Sequence, residues 1–240
     1  MNTMPLILLA PSEDKASGGR KARLPENPAQ RWVREQLAAL AKSGSPDELQ
    51  KAFGVKGLAL DKARSEALAL AGPVPLLPAL ARYSGVAFQA LDPASLPVEA
   101  WRQVYILSNL RGVVRGDALV PPYKLNLGAL RGLKAHWRHE LPPQLEALPV
   151  GPLWELLPGD AADLLKAWTR PRHTVDIFDE SGKAVSHFSK KFRGLVARWI
   201  LIHGQGDPRQ VLRGRIPGCQ WAGVAENDLG GMALRLVVTR

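Results

Sequence analysis

The residues of this sequence best suited to chemistry are cations placed where anions bind. In Ser189-Lys190-Lys191-Phe192-Arg193-Gly194, the apolar residues Phe192, Leu195, Val196, Trp199 and Ile200, with His203, recur at helical spacing. The spacing predicts a helix over 190–203 that buries this stripe and turns Lys190, Arg193 and Arg198 away from it. Ser189 is its natural N-cap. Two lysines in a first turn oppose the helix dipole at about 0.3–1 kcal/mol each unless an anion sits among them. An anion is what the free N–H groups of a helix start prefer, so Ser189, Lys190, Lys191 and Arg193 are expected to hold a phosphate or carboxylate.

Two further sets point the same way. Arg131, Lys134 and Arg138 fall at i, i+3 and i+7 of a helix expected over 131–141, with Leu133, Trp137 and Leu141 on its other stripe. Gly54-Val55-Lys56-Gly57 lies between two expected helices and is similar to a helix-hairpin-helix, in which glycines bring backbone N–H groups close to a DNA phosphate and Lys56 is the side-chain contact. Enzyme-like sets are sparse. His136 and His139 with Glu140 make a conceivable metal pair without a third ligand. Cys219, the single cysteine, stands in no nucleophile motif, and there is no G-x-S-x-G, P-loop or G-x-G-x-x-G. None of these sets calls for a cofactor or a metal.

The elements that must position these cations read as a mixture. Leu6 to Leu9 predicts a buried strand, and Pro11 to Pro25 a loop. Asn27 and Pro28 start a helix to about Lys42 with Trp32, Val33, Leu37 and Leu40 inward, and Ser45-Pro46-Asp47-Glu48 is a capping box for a helix ending near Phe53. A helix over 58–70 is broken by Pro73, Pro75 and Pro78. Strands are expected at Tyr83 to Phe88, Val104 to Leu107 and Leu234 to Val238, and a further helix at Asp160 to Trp168. A hairpin is expected with arms Thr174 to Asp179 and Ala184 to Phe188 around Glu180-Ser181-Gly182-Lys183. No regular βα alternation and no repeat stand out, so the expectation is one α+β domain over 1–240.

Composition bounds the partners. The 240 residues carry 46% hydrophobic residues and a net charge of +10, enough for a packed core and a preference for polyanions. The charge is concentrated: Arg102 to Arg138 holds seven bases against Asp117 alone, and Ser186 to Arg215 holds seven against Asp207 alone. If the two stretches fold side by side they form one basic cleft suited to a phosphate backbone. One cysteine excludes a disulfide framework, and the aliphatic run Pro5 to Ala10 falls short of the roughly 20 residues of a membrane span. Met1 to Pro11 lacks the features of a signal peptide, so the expected location is the cytoplasm.

Five ordered motifs then carry a family resemblance over nearly the whole chain. Leu8-Leu9-Ala10-Pro11-Ser12-Glu13-Asp14-Lys15 looks like a strand followed by P-S-E-x-K, and Arg82-Tyr83-Ser84-Gly85-Val86 matches R-Y-[TS]-G-V. Ser108-Asn109-Leu110-Arg111-Gly112 through Pro122-Tyr123-Lys124-Leu125 looks like S-x-L-[YW]-G followed by Y-R-L. Trp137 fits the pattern, and Ser189 to Gly194 is similar to K-K-x-R-G. Together they resemble the YaaA family of peroxide-stress proteins. Departures are Arg111 for an aromatic, an acidic residue shifted to Asp117, Lys124 for arginine, and the stretch 154–160. The resemblance implies an α+β fold with a positively charged cleft, binding of double-stranded or structured DNA, and a part in lowering free iron and limiting oxidative DNA damage.

Two readings follow. In the first, a DNA-binding protein of the oxidative stress response holds phosphates through Lys190, Lys191, Arg193, Arg115, Lys124, Arg131, Lys134 and Arg138, with Lys56 at the hairpin. In the second, an enzyme acts on a nucleobase, nucleotide or other small anion in the same cleft. There Ser12, Glu13 and Lys15 stand beside Lys190, Ser189 and Tyr123, with Glu13 as general acid or base. A pocket where Glu13, Tyr123 and Lys190 converge would favour the enzyme.

Overall fold

The computed structural model describes residues 4–185 and 189–239. Its strands are β1 (Leu6–Leu9), β2 (Arg20–Ala22), β3 (Val74–Pro78), β4 (Val104–Ser108), β5 (Gly112–Arg115), β6 (Leu119–Val120), β7 (Leu153–Leu156), β8 (His173–Phe178), β9 (Cys219–Glu226) and β10 (Met232–Val238). The helices are α1 (Pro28–Ser43), α2 (Pro46–Phe53), α3 (Leu58–Ala69), α4 (Ala79–Arg82), α5 (Val86–Leu91), α6 (Val98–Trp101), α7 (Leu133–Glu146), α8 (Gly159–Ala162), α9 (Ser189–His203) and α10 (Pro208–Val211).

Leu6-Ile7-Leu8-Leu9 is apolar at four successive positions, a pattern that suits a strand covered on both faces. It forms β1 inside a seven-stranded sheet of order β5-β4-β1-β7-β8-β10-β9, and all four side chains are buried. The five inner strands β4, β1, β7, β8 and β10 run parallel, and only the edges β5 and β9 are antiparallel. The expected mixture of helix and strand is present, but the main sheet has an α/β core. Parallel pairing joins segments far apart in sequence, such as Ile7 with Val104 and Leu8 with Glu155, and no local pattern records it. A small antiparallel sheet, β2-β3-β6, lies apart from the large one.

Capping fixes the first helices as expected. Asn27 accepts from the Gln30 backbone N–H while Gln30 returns the bond, and Ser45 and Glu48 do the same for α2. Gly54 (φ 68°) and Gly57 (φ 56°) let the chain reverse between α2 and α3 in a backbone region that side chains resist.

Four expectations are corrected. Tyr83 to Phe88 is not a strand: α4 ends at Arg82 and α5 starts at Val86. Its buried residues follow helical steps, Leu80 to Tyr83 and Phe88 to Leu91, broken at Ser84-Gly85. The helix with Trp137 begins at Leu133, so Arg131 precedes it and shares no helical stripe with Lys134 and Arg138. Asp160 to Trp168 is a single turn of helix followed by a 3-10 turn over Asp163–Leu165. Ser189 is buried as the first residue of α9 and accepts from the Arg193 guanidinium at 2.8 Å. The hairpin turn at 179–183 is organised by the Asp179 carboxylate, which accepts from the Ser181 and Lys183 N–H groups. Its second arm pairs at Ala184 and Val185, and the remainder, 186–188, lies outside the described residues.

Candidate functional site

In an open parallel sheet, ligands bind beyond the carboxyl ends of the strands. Here β1 runs out at Leu9 into Ala10-Pro11-Ser12-Glu13-Asp14-Lys15, a loop that passes the ends of β4 and β7. The sequence Arg82-Tyr83-Ser84-Gly85 forms a bracket for it. Tyr83 bridges to Lys15, and the Ala16 and Ser84 N–H groups donate to the Arg82 and Asp14 carbonyls. Gly85 stands against Ser12, where an added Cβ would come within 2.7 Å of the Ser12 Cβ. The Arg82 guanidinium is fully buried and donates to four carbonyls, those of Ala16, Gly18 (3.0 Å), Pro75 (2.9 Å) and Val120 (3.2 Å). A buried charge is tolerated only with its hydrogen bonds satisfied, and this one is occupied in holding the loop.

The other motifs close around the same point. Ser108 and Tyr123, at the ends of the S-x-L and Y-K-L segments, are joined Oγ to phenol at 2.9 Å, and Tyr123 is joined to the Tyr83 phenol at 2.9 Å. Asn109 donates to the Leu125 carbonyl at 2.8 Å, and the Trp137 indole donates to the Asn109 carbonyl at 2.9 Å. Gly194 lets α9 press against Ala87 and Ala90 of α5, where a Cβ would strike the Ala87 carbonyl. The five motifs of the sequence therefore assemble as one unit about the β1 loop.

The electrostatics at this point are unusual for lysine and tyrosine. Lys15 Nζ donates to the Ser12 carbonyl at 2.9 Å and lies 4.0 Å from the Tyr123 ring centroid. Burial first, then the Lys124 charge, lowers its pKa from 10.5 to about 7. Burial raises both buried phenols above their ordinary range. Cys219, remote from these groups, is pushed up to about 11 by burial.

Three cavities adjoin the loop. One of about 300 Å³ is lined by Ser12, Glu13, Lys15, Asn109, Lys124 and Asp160, among others. One of about 250 Å³ lies between the loop, α5 and α9, with Ser12, Glu13, Asp14, Lys190 and Arg193 in its wall. The third, about 530 Å³, faces α3 and includes Lys15, Lys62, Glu66, Tyr123 and Lys124.

Of the cations expected to act together, Lys124 lines two of these cavities, and Lys190 and Arg193 line another. Lys134 reaches Asp160, which lines the first cavity, at 4.0 Å. Lys56 is exposed beside Val55, which lines the third; Lys191, Arg131 and Arg138 are exposed and line none of them. Arg115 is on the other side of the matter: antiparallel β5 pairs it with Tyr105 at the amino end of β4, about 10 Å of strand from Ser108. Asp117 pairs with it there, together with Arg102. Glu13 and Lys190 share a cavity that Tyr123 does not reach, so the convergence of these three that an enzyme reading asked for is absent. His136 stacks on Trp32 and bonds to the Ala29 carbonyl, whereas His139 is exposed against Glu140. Among the described residues no group of three or more His, Cys, Asp or Glu could hold a metal, and no helix is long and apolar enough to cross a membrane.

Sequence reasoning passed over Arg82, Tyr83, Asn109, Lys62 and Glu66, and also Asn126, which lines the first cavity, as candidate site residues. Arg82 and Tyr83 had a signal in the R-Y-S-G-V match; Lys62 and Glu66 had only their place on an exposed helix face.

The family model described as peroxide stress protein YaaA matches residues 5–222. Similar proteins include a UPF0246 protein of Corynebacterium glutamicum, 32% identical over 212 residues, which cover 82% of this chain and 85% of the relative. A UPF0246 protein of Streptomyces coelicolor is 31% identical over 234 residues, covering 83% and 84%. An uncharacterized protein of Campylobacter jejuni is 29% identical over 213 residues, covering 79% and 82%. With the model spanning every motif bound around the β1 loop, the chain belongs to the YaaA family of peroxide stress proteins.

Proposed function

We propose that this protein serves the peroxide stress response by binding double-stranded or structured DNA through its phosphate backbone, in the cytoplasm, with the cavities around Ser12–Lys15 as one basic cleft. The observation that carries the reading is the distribution of Lys124, Lys190 and Arg193. They come from two separate basic stretches and line cavities that share Ser12 and Glu13. The Gly54-Val55-Lys56-Gly57 reversal is read as a helix-hairpin-helix contact at the rim, offering backbone N–H groups and Lys56 to the same backbone. Lys134, Arg131, Arg138 and Lys191 extend the surface outward. Arg115, neutralised by Asp117, has no part in it.

Phosphate contacts release counterions, so affinity falls steeply with salt, by a slope near 0.9 per neutralised phosphate. Fluorescence anisotropy with a short duplex at several salt concentrations tests this. Lys124→Ala with Lys190→Ala is expected to weaken binding for every base sequence and to reduce the salt slope by about 2. Unchanged affinity in that double variant, or wild-type binding indifferent to salt, would overturn the reading. Small-molecule chemistry is a second reading that one observation favours, the partly buried Lys15 amine.

A further inference from the structure

Lys15 makes no direct ion pair among the described residues. Among the described residues no carboxylate oxygen lies within 4.0 Å of its Nζ, although Glu66, Asp14 and Glu13 are near enough to act on its charge. Its one hydrogen bond goes to the Ser12 carbonyl, and its flank rests on the Tyr123 ring. Its backbone is fixed by the bridge to Tyr83 and, one residue on, by the Arg82 clamp. A positioned lysine with its ammonium form disfavoured is the arrangement that nucleophilic amines require.

The surroundings define what it could meet. Lys15 lines the cavities of about 300 and 530 Å³, and Lys124 lines both as well. In the larger one Lys62 and Glu66 are 3.8 Å apart, and Lys124 and Asp14 are also 3.8 Å apart. Both pairs are at the long end of ion-pair distance, so an entering phosphate can compete for either lysine.

We propose that Lys15 is a covalent nucleophile that captures the aldehyde of a phosphate-bearing sugar as an imine. The Nζ lone pair attacks the carbonyl carbon, a C–N bond forms, and the C=O π pair moves to oxygen. A proton passes from nitrogen to that oxygen, with the Glu66 carboxyl group lining the same cavity available to carry it. The carbinolamine then expels the oxygen as water, so that both hydrogens of the amine leave with it and a C=N bond remains. Hydrolysis reverses the sequence, and no oxidant or reductant enters. The sugar comes either from a base-free nucleotide within DNA or from a free aldose phosphate. Choosing DNA as the source rests on the DNA reading; the amine chemistry does not.

The protein is incubated with cyanoborohydride and one of three probes: a duplex with one base-free site, the matching intact duplex, or ribose 5-phosphate. Adducts are quantified by intact mass and mapped by peptide mass spectrometry over all twelve lysines. The expected result is a reduced adduct on Lys15, at least tenfold above any other lysine, with the base-free duplex, and none with the intact one. Lys15→Arg removes the nucleophilic amine and is expected to lose the adduct. Mapping on the wild-type chain decides the question even if that variant fails to fold. A Lys15 adduct with ribose 5-phosphate alone supports the nucleophile and assigns it to small sugars, counting against DNA as the source. No adduct with either aldehyde, or an adduct spread over exposed lysines, overturns the proposal, and salt-dependent duplex binding in the same preparation leaves the DNA reading standing.

Discussion

Two cations at different places along the sheet, one buried and one half-buried, are treated in opposite ways. Arg172, beside β7 and β8, is 2% exposed in its side chain and meets the Glu155 carboxylate at 2.6 Å. It also donates to the carbonyls of Leu165, Trp168 and Arg170. Lys15, beyond the end of β1, has one carbonyl and an aromatic face. Every strong donor of Arg172 is committed within the fold, whereas Lys15 is held in place without being neutralised. The first arrangement fixes the β7–β8 junction; the second holds its amine with one carbonyl and a ring face.

The largest test of this contrast breaks the saturated pair. Glu155→Ala leaves a buried guanidinium uncompensated and is expected to lower stability by about 3–5 kcal/mol in urea unfolding. A loss below about 1 kcal/mol would remove the distinction. Next, Tyr123→Phe deletes the hydroxyl between Ser108 and Tyr83 and is expected to cost about 1–3 kcal/mol, with the Lys15 ring contact retained.

Lys15 itself sharpens the contrast through pH. Its folded pKa of about 7 lies below its ordinary 10.5, so below pH 7 it is charged in both states and folding buries that charge. Between pH 7 and about 10.5 the unfolded chain binds the proton that the folded one has released. Stability contributed by this group therefore rises with pH across that window, by at most about 1.4 kcal/mol per unit. Lys15→Met is expected to abolish that slope and to be neutral or stabilising at pH 7, measured by urea unfolding at pH 6.5, 8 and 9.5. A variant whose slope matches the wild type would show that Lys15 titrates normally. The smallest effect is that of Arg115→Ala, which is expected to leave both duplex affinity and its salt slope unchanged.

What could be read from the chain was what depends on neighbours. Leu6 to Leu9, the caps at Asn27 and Ser45 and the buried stripe Leu133, Trp137 and Leu141 are local facts of spacing and side-chain type. Tyr83 to Phe88 was misread because its alternation of apolar and small residues imitates a strand, while the break at Ser84-Gly85 serves to seat the β1 loop. β7 went unseen because Leu153 to Leu156 is a short run between prolines whose identity as a strand depends on pairing with β1 and β8. The motif matches do come together in space, since all five gather at the β1 loop. Their chemistry could not be read, because Arg82 is occupied by distant carbonyls and Lys15 owes its lowered pKa to burial first and then to Lys124. Charge density singled out Arg115 as readily as Lys124, and only the antiparallel turn into β5 separates them.

The central claim is that the carboxyl ends of β1, β4 and β7 form the working face. Titrating isotope-labelled protein with a short duplex and following backbone amide shifts tests it most directly. The account predicts changes concentrated at Ser12–Lys15, Asn109, Lys124–Asn126 and Lys190–Arg193, with Arg115–Asp117 silent. Changes centred on Arg115–Asp117 and the β4–β5 edge, with the Ser12–Lys15 loop undisturbed, would contradict it.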